Sequence, residues 1–198
     1  MNTTHSTRRR AAIAFLAAAA LTLAGCSTGP SGNASTEPPV TSLESYDLAG
    51  LEAPQIINTL DTMPVADRPN DLIASVQPTE LVLTSGDESL ETIPIPEDQF
   101  YLSVAPYYTS THPCRFHSLT TCLGEIANEQ VHVTVTDNAS GDTLIDEPRI
   151  TYDNGFLGLW LPRGITATLT IDHDGRTATA PISTGDDDLT CLTTMQLA

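Results

Sequence analysis

Apolar positions recur with a helical period near the start of the folded part of the chain. From Leu48 to Met63 they follow helical spacing, and Pro54 falls in the first turn, where proline is tolerated. Pro64 then predicts the end of this helix. Because a lone short amphipathic helix is marginal in water, we expect its apolar stripe to pack on the main domain or on a second copy of the chain.

Further along, the pattern changes to short runs of β-branched and aromatic residues. The runs cover residues 81–83, 100–104, 131–135, 156–161, 167–171 and 177–180. Turn residues separate them, as in Asp153-Asn154-Gly155 and Asp172-His173-Asp174-Gly175. This spacing predicts a mainly β fold, an antiparallel β-sandwich-like domain with a small N-terminal helical segment.

The first residues have the layout of an export signal. Three arginines at positions 8–10 precede an apolar stretch from Ala11 to Ala24, which is too short to span a bilayer comfortably and should be removed. The residues Leu23-Ala24-Gly25-Cys26 resemble a bacterial lipobox, in which the cysteine becomes the lipidated first residue of the mature protein. An ordinary secretory signal that happens to carry a cysteine is the alternative, and the export route stays open.

We therefore predict four segments along the chain. Residues 1–25 form a lipoprotein signal peptide, and residues 26–45, rich in Ser, Thr, Gly and Pro, form a flexible tether. Residues 46–98 form an N-terminal helical and extended segment, and residues 99–198 form a β-domain. This organisation predicts a protein anchored by lipid to the cell membrane and facing outside the cytoplasm.

The charge of the chain excludes one class of partner. The formal net charge is −17, and loss of the three signal arginines makes it −20 in a mature chain that contains no lysine. Such a surface repels nucleic acid and anionic lipid. We expect no nucleic-acid partner, and contact with the membrane through the lipid anchor alone.

The cysteines carry the candidate chemistry. Besides Cys26 the chain has Cys114, Cys122 and Cys191, an odd number for an exported domain, in which cysteines normally pair. At least one of the three is therefore free, intermolecular or metal-bound. His112 and His117 lie in the same eleven-residue stretch, from His112 to Cys122, and are candidate additional ligands.

Three interpretations of these cysteines remain open from the residues alone. If the three sulfurs converge, soft-ligand chemistry favours Cu(I), which accepts two or three thiolates. A set of three cysteines and one histidine would instead suit zinc, which prefers four ligands. The third interpretation has no metal, with one disulfide and one buried, inert cysteine.

Four stretches of the chain, 101–107, 111–122, 154–163 and 191–194, occur in the order found in one known family. Together they resemble the CueP family of exported bacterial copper-binding proteins, and the resemblance runs from about Tyr46 to Leu197. It implies a copper resistance or copper delivery protein in which Cys114, Cys122 and Cys191 bind the metal. It also implies a homodimer formed through the N-terminal part, which would match the apolar stripe.

The expected function is therefore that of an extracytoplasmic lipoprotein that sequesters or delivers Cu(I), with stoichiometric reduction of Cu(II) as an added hypothesis. A copper-accepting enzyme and a thiol reductant are the expected partners, and no catalytic residue is assigned. A thiol-disulfide redox protein is one alternative, disfavoured because the Cys114–Cys122 spacing is not Cys-x-x-Cys. A cell-surface adhesion or scaffold β-domain stabilised by a disulfide is the other.

Substitution Cys26→Ala tests the lipid anchor. Without the sulfur no lipid can be attached, so the variant should be released into the medium or stay unprocessed. Membrane fractionation and the mass of the mature N-terminus measure this outcome. A variant that fractionates with the membrane as the wild type does would contradict the lipoprotein prediction.

Overall fold

The computed structural model describes residues 42–198. The predicted signal peptide, the lipidation site Cys26 and most of the tether lie outside this range. Within it, no helix has the length and apolar character needed to cross a membrane.

The described residues form one α-helix, two short 3-10 helices and eleven strands. The helix α1 spans Ala53–Asp61, and the 3-10 helices span Leu43–Tyr46 and Val65–Asp67. The strands are β1 (Leu72–Val76), β2 (Glu80–Ser85), β3 (Glu88–Pro94), β4 (Gln99–Tyr107), β5 (His117–Ser118), β6 (Gln130–Asp137), β7 (Thr143–Ile150), β8 (Leu157–Pro162), β9 (Thr166–His173), β10 (Arg176–Ser183) and β11 (Cys191–Gln196).

These strands form three sheets. Two are four-stranded, with the orders β3-β2-β1-β5 and β10-β9-β6-β7, and the third has the order β11-β4-β8. The strand pairs are antiparallel except for β11 and β4, which run parallel. The prediction of a mainly β, sandwich-like fold with a small N-terminal helix is confirmed, and the parallel pair is the one departure from antiparallel order.

Strand β4 is buried on both of its faces. Successive side chains of a strand point to opposite sides. Phe100, Leu102 and Val104 enter the main core between the sheets β11-β4-β8 and β10-β9-β6-β7, whereas Tyr101 enters a second core. A central strand of this kind reads as a continuous apolar run rather than as an alternating one.

The second core holds α1 against the sheet β3-β2-β1-β5. Ile56, Ile57 and Leu60 of the helix are fully buried there with Leu72 and Leu81 of the sheet. The apolar stripe of the helix is thus covered by the same chain. Dimer formation through the segment 46–98 stays a prediction, and it would have to use other surfaces of that segment.

Gly158 on β8 lies directly against the side chain of Tyr101 on β4. A methyl group on this glycine of β8 would overlap the hydroxyl of Tyr101. The absence of a side chain there lets the Tyr101 ring lie across the sheet with its hydroxyl directed at Asp61, the last residue of α1. The glycine therefore positions a polar contact as well as leaving space.

The segment between β4 and β6 is a long loop interrupted by β5. Its ends are closed by the carboxylate of Glu125, which accepts hydrogen bonds from the backbone N–H groups of Tyr108, Thr109 and Ser110 at 2.7, 2.9 and 3.1 Å. Hydrogen bonds from the Thr109 hydroxyl and from these N–H groups lower the pKa of Glu125 to about 2. The clamp therefore stays ionised at neutral pH.

The predicted boundary between the segments 46–98 and 99–198 stays a prediction. Strands β1, β2 and β3 fall within residues 46–98, beside the helix predicted for that segment. They share the second core with α1, so the segment takes part in the domain core.

Candidate metal centre

Three cysteine sulfurs meet where the β4–β6 loop crosses the start of β11. Cys114 and Cys122 belong to the loop, and Cys191 is the first residue of β11. The pairing of β11 with β4 sets Cys191 opposite Ser103. The loop is attached to β11 because the carbonyl of Arg115 accepts hydrogen bonds from the N–H groups of Thr190 and Cys191 at 3.0 and 3.2 Å.

Thr190 ties the same point to a second sheet. Its hydroxyl donates to the carbonyl of Val76 on β1 and accepts the backbone N–H of His117 at 3.1 Å. Strand β5, which contains His117, pairs with β1. Three elements distant in sequence are thereby fixed around the sulfurs.

The three sulfurs are close enough to share one ion. All three Sγ atoms lie within 4.8 Å of one another, and those of Cys114 and Cys122 are 3.8 Å apart. The structure has all three as free thiols, with Cys191 buried and the other two half-buried. Ala105 and Phe156 form the apolar side of the group. The convergence assumed for copper binding is present.

The surroundings make the three thiols unequal. The thiol of Cys191 and the ring of His117 favour the thiolate of Cys122 more than burial opposes it, and the N–H of Ser118 donates to its sulfur at 3.4 Å, so the pKa of Cys122 is lowered. Hydrogen bonding to Cys122 and burial raise the pKa of Cys191. Burial and the neighbouring Cys122 charge raise the pKa of Cys114.

His117 lies directly behind the sulfurs and is fully buried. Its Nδ1 is 3.8 Å from the sulfur of Cys191, and its Nε2 is 3.0 Å from Oδ1 of Asp61. Burial disfavours the charged ring, but the Asp61 charge outweighs burial and raises the pKa of His117 to about 9. A protonated ring directs one N–H at the carboxylate and the other at the sulfurs.

Asp61 is a buried carboxylate with every oxygen satisfied. Oδ1 accepts a hydrogen bond from the side-chain amide of Asn154 at 2.8 Å, and Oδ2 accepts the hydroxyl of Tyr101 at 2.5 Å. Burial raises its pKa, yet the charge and hydrogen bond of His117, with those of Tyr101 and Asn154, give a net lowering. Helix α1 therefore contributes a charge that stabilises the protonated ring of His117 beside the three sulfurs.

Sequence reasoning did not find Asp61, Tyr101 or Asn154. One signal was available: Asp61 lies four residues after Ile57, so a charged residue occupies the apolar stripe of the helix. An ionised side chain on a buried face requires a buried partner. The turn residue Asn154 carries no comparable signal in the sequence.

His112 is placed apart from the sulfur group. It is half-buried, with its Nε2 3.1 Å from the carbonyl of Leu123 and its Nδ1 3.4 Å from the carbonyl of Pro113. Both nitrogens thus face backbone oxygens. Of the two candidate histidines, the structure brings His117 to the sulfurs and directs His112 toward the loop backbone.

Comparison with known families decides the class of this site. A family sequence model described as the periplasmic copper-binding protein CueP matches residues 55–196. This chain belongs to the CueP family. The crystal structure of S. CueP is similar to it, with a TM-score of 0.73 and 42% sequence identity over 79% of this chain and 94% of that chain. No curated protein matches the chain.

CueP membership confirms the copper prediction at the level of the family. The family is periplasmic and copper-binding, and this member has a three-cysteine group that could hold a metal ion. An extracytoplasmic location is therefore supported. The precise ligand set and the lipid anchor stay predictions.

Substitution Asp61→Asn tests the buried ion pair through its dependence on pH. The folded pKa of His117, about 9, lies above the ordinary value of 6.5, so the pair's contribution to stability is complete below pH 6.5. It is lost as the pH rises through 9. In reducing buffer without metal, Asp61→Asn should lower the free energy of unfolding by about 3 kcal/mol or more at pH 6, since it leaves a buried charge unpaired. The loss should be smaller at pH 9.5.

Urea unfolding at the two pH values measures this difference, and NMR titration of the His117 ring measures its pKa. Asp146→Asn is the matched control, because Asp146 pairs with His132 at 2.7 Å on the exposed surface. A His117 ring that titrates near 6.5 in the wild type, or equal destabilisation at both pH values, would contradict this account.

Proposed function

We propose that this CueP-family chain holds one Cu(I) ion outside the cytoplasm through the thiolates of Cys114, Cys122 and Cys191. The observation that supports this most is the approach of the three Sγ atoms to within 4.8 Å of one another. An ion bound at about 2.3 Å by three sulfurs in one plane holds those sulfurs about 4.0 Å apart. The 3.8 Å between Cys114 and Cys122 is already close to that value.

The donor set favours Cu(I) over structural zinc. Among the described residues, the group of ligand atoms within 4.8 Å of one another contains three sulfurs and no nitrogen or oxygen. Cu(I) accepts three thiolates, whereas structural zinc sites have four protein ligands. The Nε2 of His117 is engaged with Asp61, and its Nδ1 lies 3.8 Å from the sulfur of Cys191, which is longer than a bond to a metal ligand.

Burial of the sulfurs suits storage and transfer of the ion. Cys191 is buried, while Cys114 and Cys122 are half-buried on the loop and can be reached by an incoming thiolate. Copper can therefore pass to another protein by exchange of one sulfur at a time. We propose that the chain sequesters Cu(I) or delivers it to a copper-accepting enzyme, and that it thereby contributes to copper resistance.

Reduction of Cu(II) is a further part of the proposal. Two thiols that join in a disulfide release two protons and two electrons. The two electrons reduce two Cu(II) ions to two Cu(I) ions. The sulfurs of Cys114 and Cys122 are 3.8 Å apart, and those of Cys122 and Cys191 lie within 4.8 Å of each other, so either pair is a candidate for the disulfide. Since only one thiol then remains, the protein acts once, and an external thiol reductant must restore the site.

The lipid anchor at Cys26 completes the proposal. It would hold the copper site at the outer side of the cell membrane on a tether of about twenty residues, where incoming copper first meets the cell. A homodimer is part of the same proposal, supported by the resemblance to the CueP family.

Cu(I) titration of reduced protein tests the three-sulfur site. Competition with a colorimetric chelator under anaerobic conditions should give one Cu(I) per chain for the wild type. Cys191→Ser should lower the affinity by more than about a hundredfold, because loss of a ligand costs more than loss of a residue that supports one. His112→Ala is the control and should bind nearly as the wild type does. If Cys191→Ser binds Cu(I) as tightly as the wild type, the Cys114–Cys122 pair suffices and the proposal is wrong.

The reduction step has its own test. Cu(II) added to fully reduced protein without oxygen should yield two Cu(I) ions for each two thiols lost. A Cu(I)-specific chelator measures the copper, and a thiol reagent measures the remaining cysteines. Protein with alkylated cysteines is the control and should give no Cu(I). Formation of Cu(I) without thiol loss, or no Cu(I) from reduced protein, would leave the chain a passive chelator.

A further inference from the structure

Arg68 lies beside the three-cysteine group with much of its guanidinium unsatisfied. Its Nη1 donates to the backbone carbonyl of Cys122 at 3.0 Å. Its Nε and Nη2 are buried and have no hydrogen-bond partner among the described residues. These two nitrogens form an edge of the guanidinium that commonly binds a carboxylate in bidentate fashion. Buried guanidinium nitrogens without a hydrogen-bond partner are stabilised by negative charge nearby.

The other arginines of the described range have partners of their own. Arg149 and Arg163 form salt bridges with Glu147 and Asp186. Arg115 donates to the carbonyl of Asp187 at 2.8 Å, and the Arg176 guanidinium lies 4.8 Å from the centre of the Tyr108 ring. Arg68 is thus distinguished by its guanidinium, which donates to the carbonyl of Cys122 and has two buried nitrogens without a hydrogen-bond partner among the described residues.

Three groups that can carry negative charge lie near Arg68, namely Asp61, Cys122 and Asp153. Burial lowers the pKa of Arg68, and the charges of Asp61, Cys122 and Asp153 oppose that lowering. The guanidinium stays protonated, since arginine does not lose its proton in proteins. Because the group is partly buried, its field at the sulfurs is screened less than that of a surface arginine.

We infer that Arg68 is a specificity-determining residue, whose fixed positive charge makes the three-thiolate site favour Cu(I) over a divalent ion such as Zn(II). This inference rests on the proposed three-thiolate site. Three thiolates carry a charge of −2 with Cu(I) and −1 with Zn(II). A neighbouring cation therefore stabilises the Cu(I) complex more than the Zn(II) complex.

Proton release by the thiols cancels when the affinities of the same site for two metals are compared. Both complexes start from the same metal-free protein, so the number of protons that the thiols release does not affect the ratio of the two affinities. The ratio depends on the single unit of charge by which the complexes differ. At the distance of a neighbouring residue in a partly buried site, one charge acting on one charge corresponds to about tenfold in affinity.

A purely structural role for Arg68 predicts a different result. The hydrogen bond from Nη1 to the carbonyl of Cys122 helps to hold the loop, so its loss would weaken the binding of any metal at the three sulfurs. Both affinities would then fall together, and their ratio would stay constant. The ratio therefore separates the effect of charge from the effect of loop position.

The test measures Cu(I) and Zn(II) affinities by chelator competition in reduced full-length protein. Arg68→Gln removes the charge and keeps a side-chain amide, and it should lower the Cu(I)/Zn(II) affinity ratio about tenfold. Arg68→Lys keeps the charge and should leave the ratio near that of the wild type. Arg176→Gln is the matched control for net charge, because Arg176 precedes Thr177, which pairs with Ala198 at the opposite end of β11 from Cys191.

If Arg68→Gln does not fold, Asp153→Asn gives a second test, in which the Cu(I)/Zn(II) affinity ratio should change in the opposite direction. It removes an exposed negative charge that acts on Arg68, so the ratio should rise. An unchanged ratio in folded Arg68→Gln, or an equal fall in Arg68→Lys, would overturn the inference. If Arg68→Gln does not fold, a ratio unchanged in Asp153→Asn would overturn it. Wild-type protein that binds no Cu(I) would overturn the proposed function and the inference together.

Discussion

The parallel pairing of β11 with β4 is the constraint on which the site depends. It carries Cys191 from near the C-terminus to a position opposite Ser103, beside a loop that leaves the far end of β4. The backbone hydrogen bonds from Thr190 and Cys191 to Arg115 then fix the loop against the strand. Because β4 is buried on both faces, two hydrophobic cores fix its position. Cys191 is held in place in turn, since β11 pairs with β4.

Charged groups around the three cysteines determine how readily their thiols ionise. In a chain with a formal net charge of −17, burial and like charges both oppose ionisation of thiols that lie close together. The protein places His117 and Arg68 beside the sulfurs and balances His117 with Asp61 from helix α1. The N-terminal helix is therefore joined to the rest of the domain by a buried charge pair as well as by apolar packing.

Apolar runs predict most of the buried strands, although β1, which alternates between core and solvent, is covered by no predicted run. The runs at 131–135 and 167–171 lie in β6 and β9, whose inward residues are all buried. No predicted run covers β3 or β7, because their side chains are mainly exposed and show no apolar alternation. No predicted run covers β11 either, since a register shift between Leu192 and Met195 interrupts the alternation of its side chains. For the site, residue type pointed to the three cysteines, and the apolar stripe of α1 marked Asp61 as a charge in need of a partner. The contacts of Asp61 and Arg68 are long-range, and no local pattern gives their partners.

The central claim is that one Cu(I) ion is shared by the three sulfurs of Cys114, Cys122 and Cys191. X-ray absorption at the copper edge of anaerobically loaded protein tests it most directly, because the spectrum reports oxidation state, ligand type and coordination number together. We expect Cu(I) with three sulfur neighbours at one distance of about 2.3 Å and no nitrogen neighbour. Two sulfurs at a shorter distance, or a first shell that contains imidazole, would contradict the account.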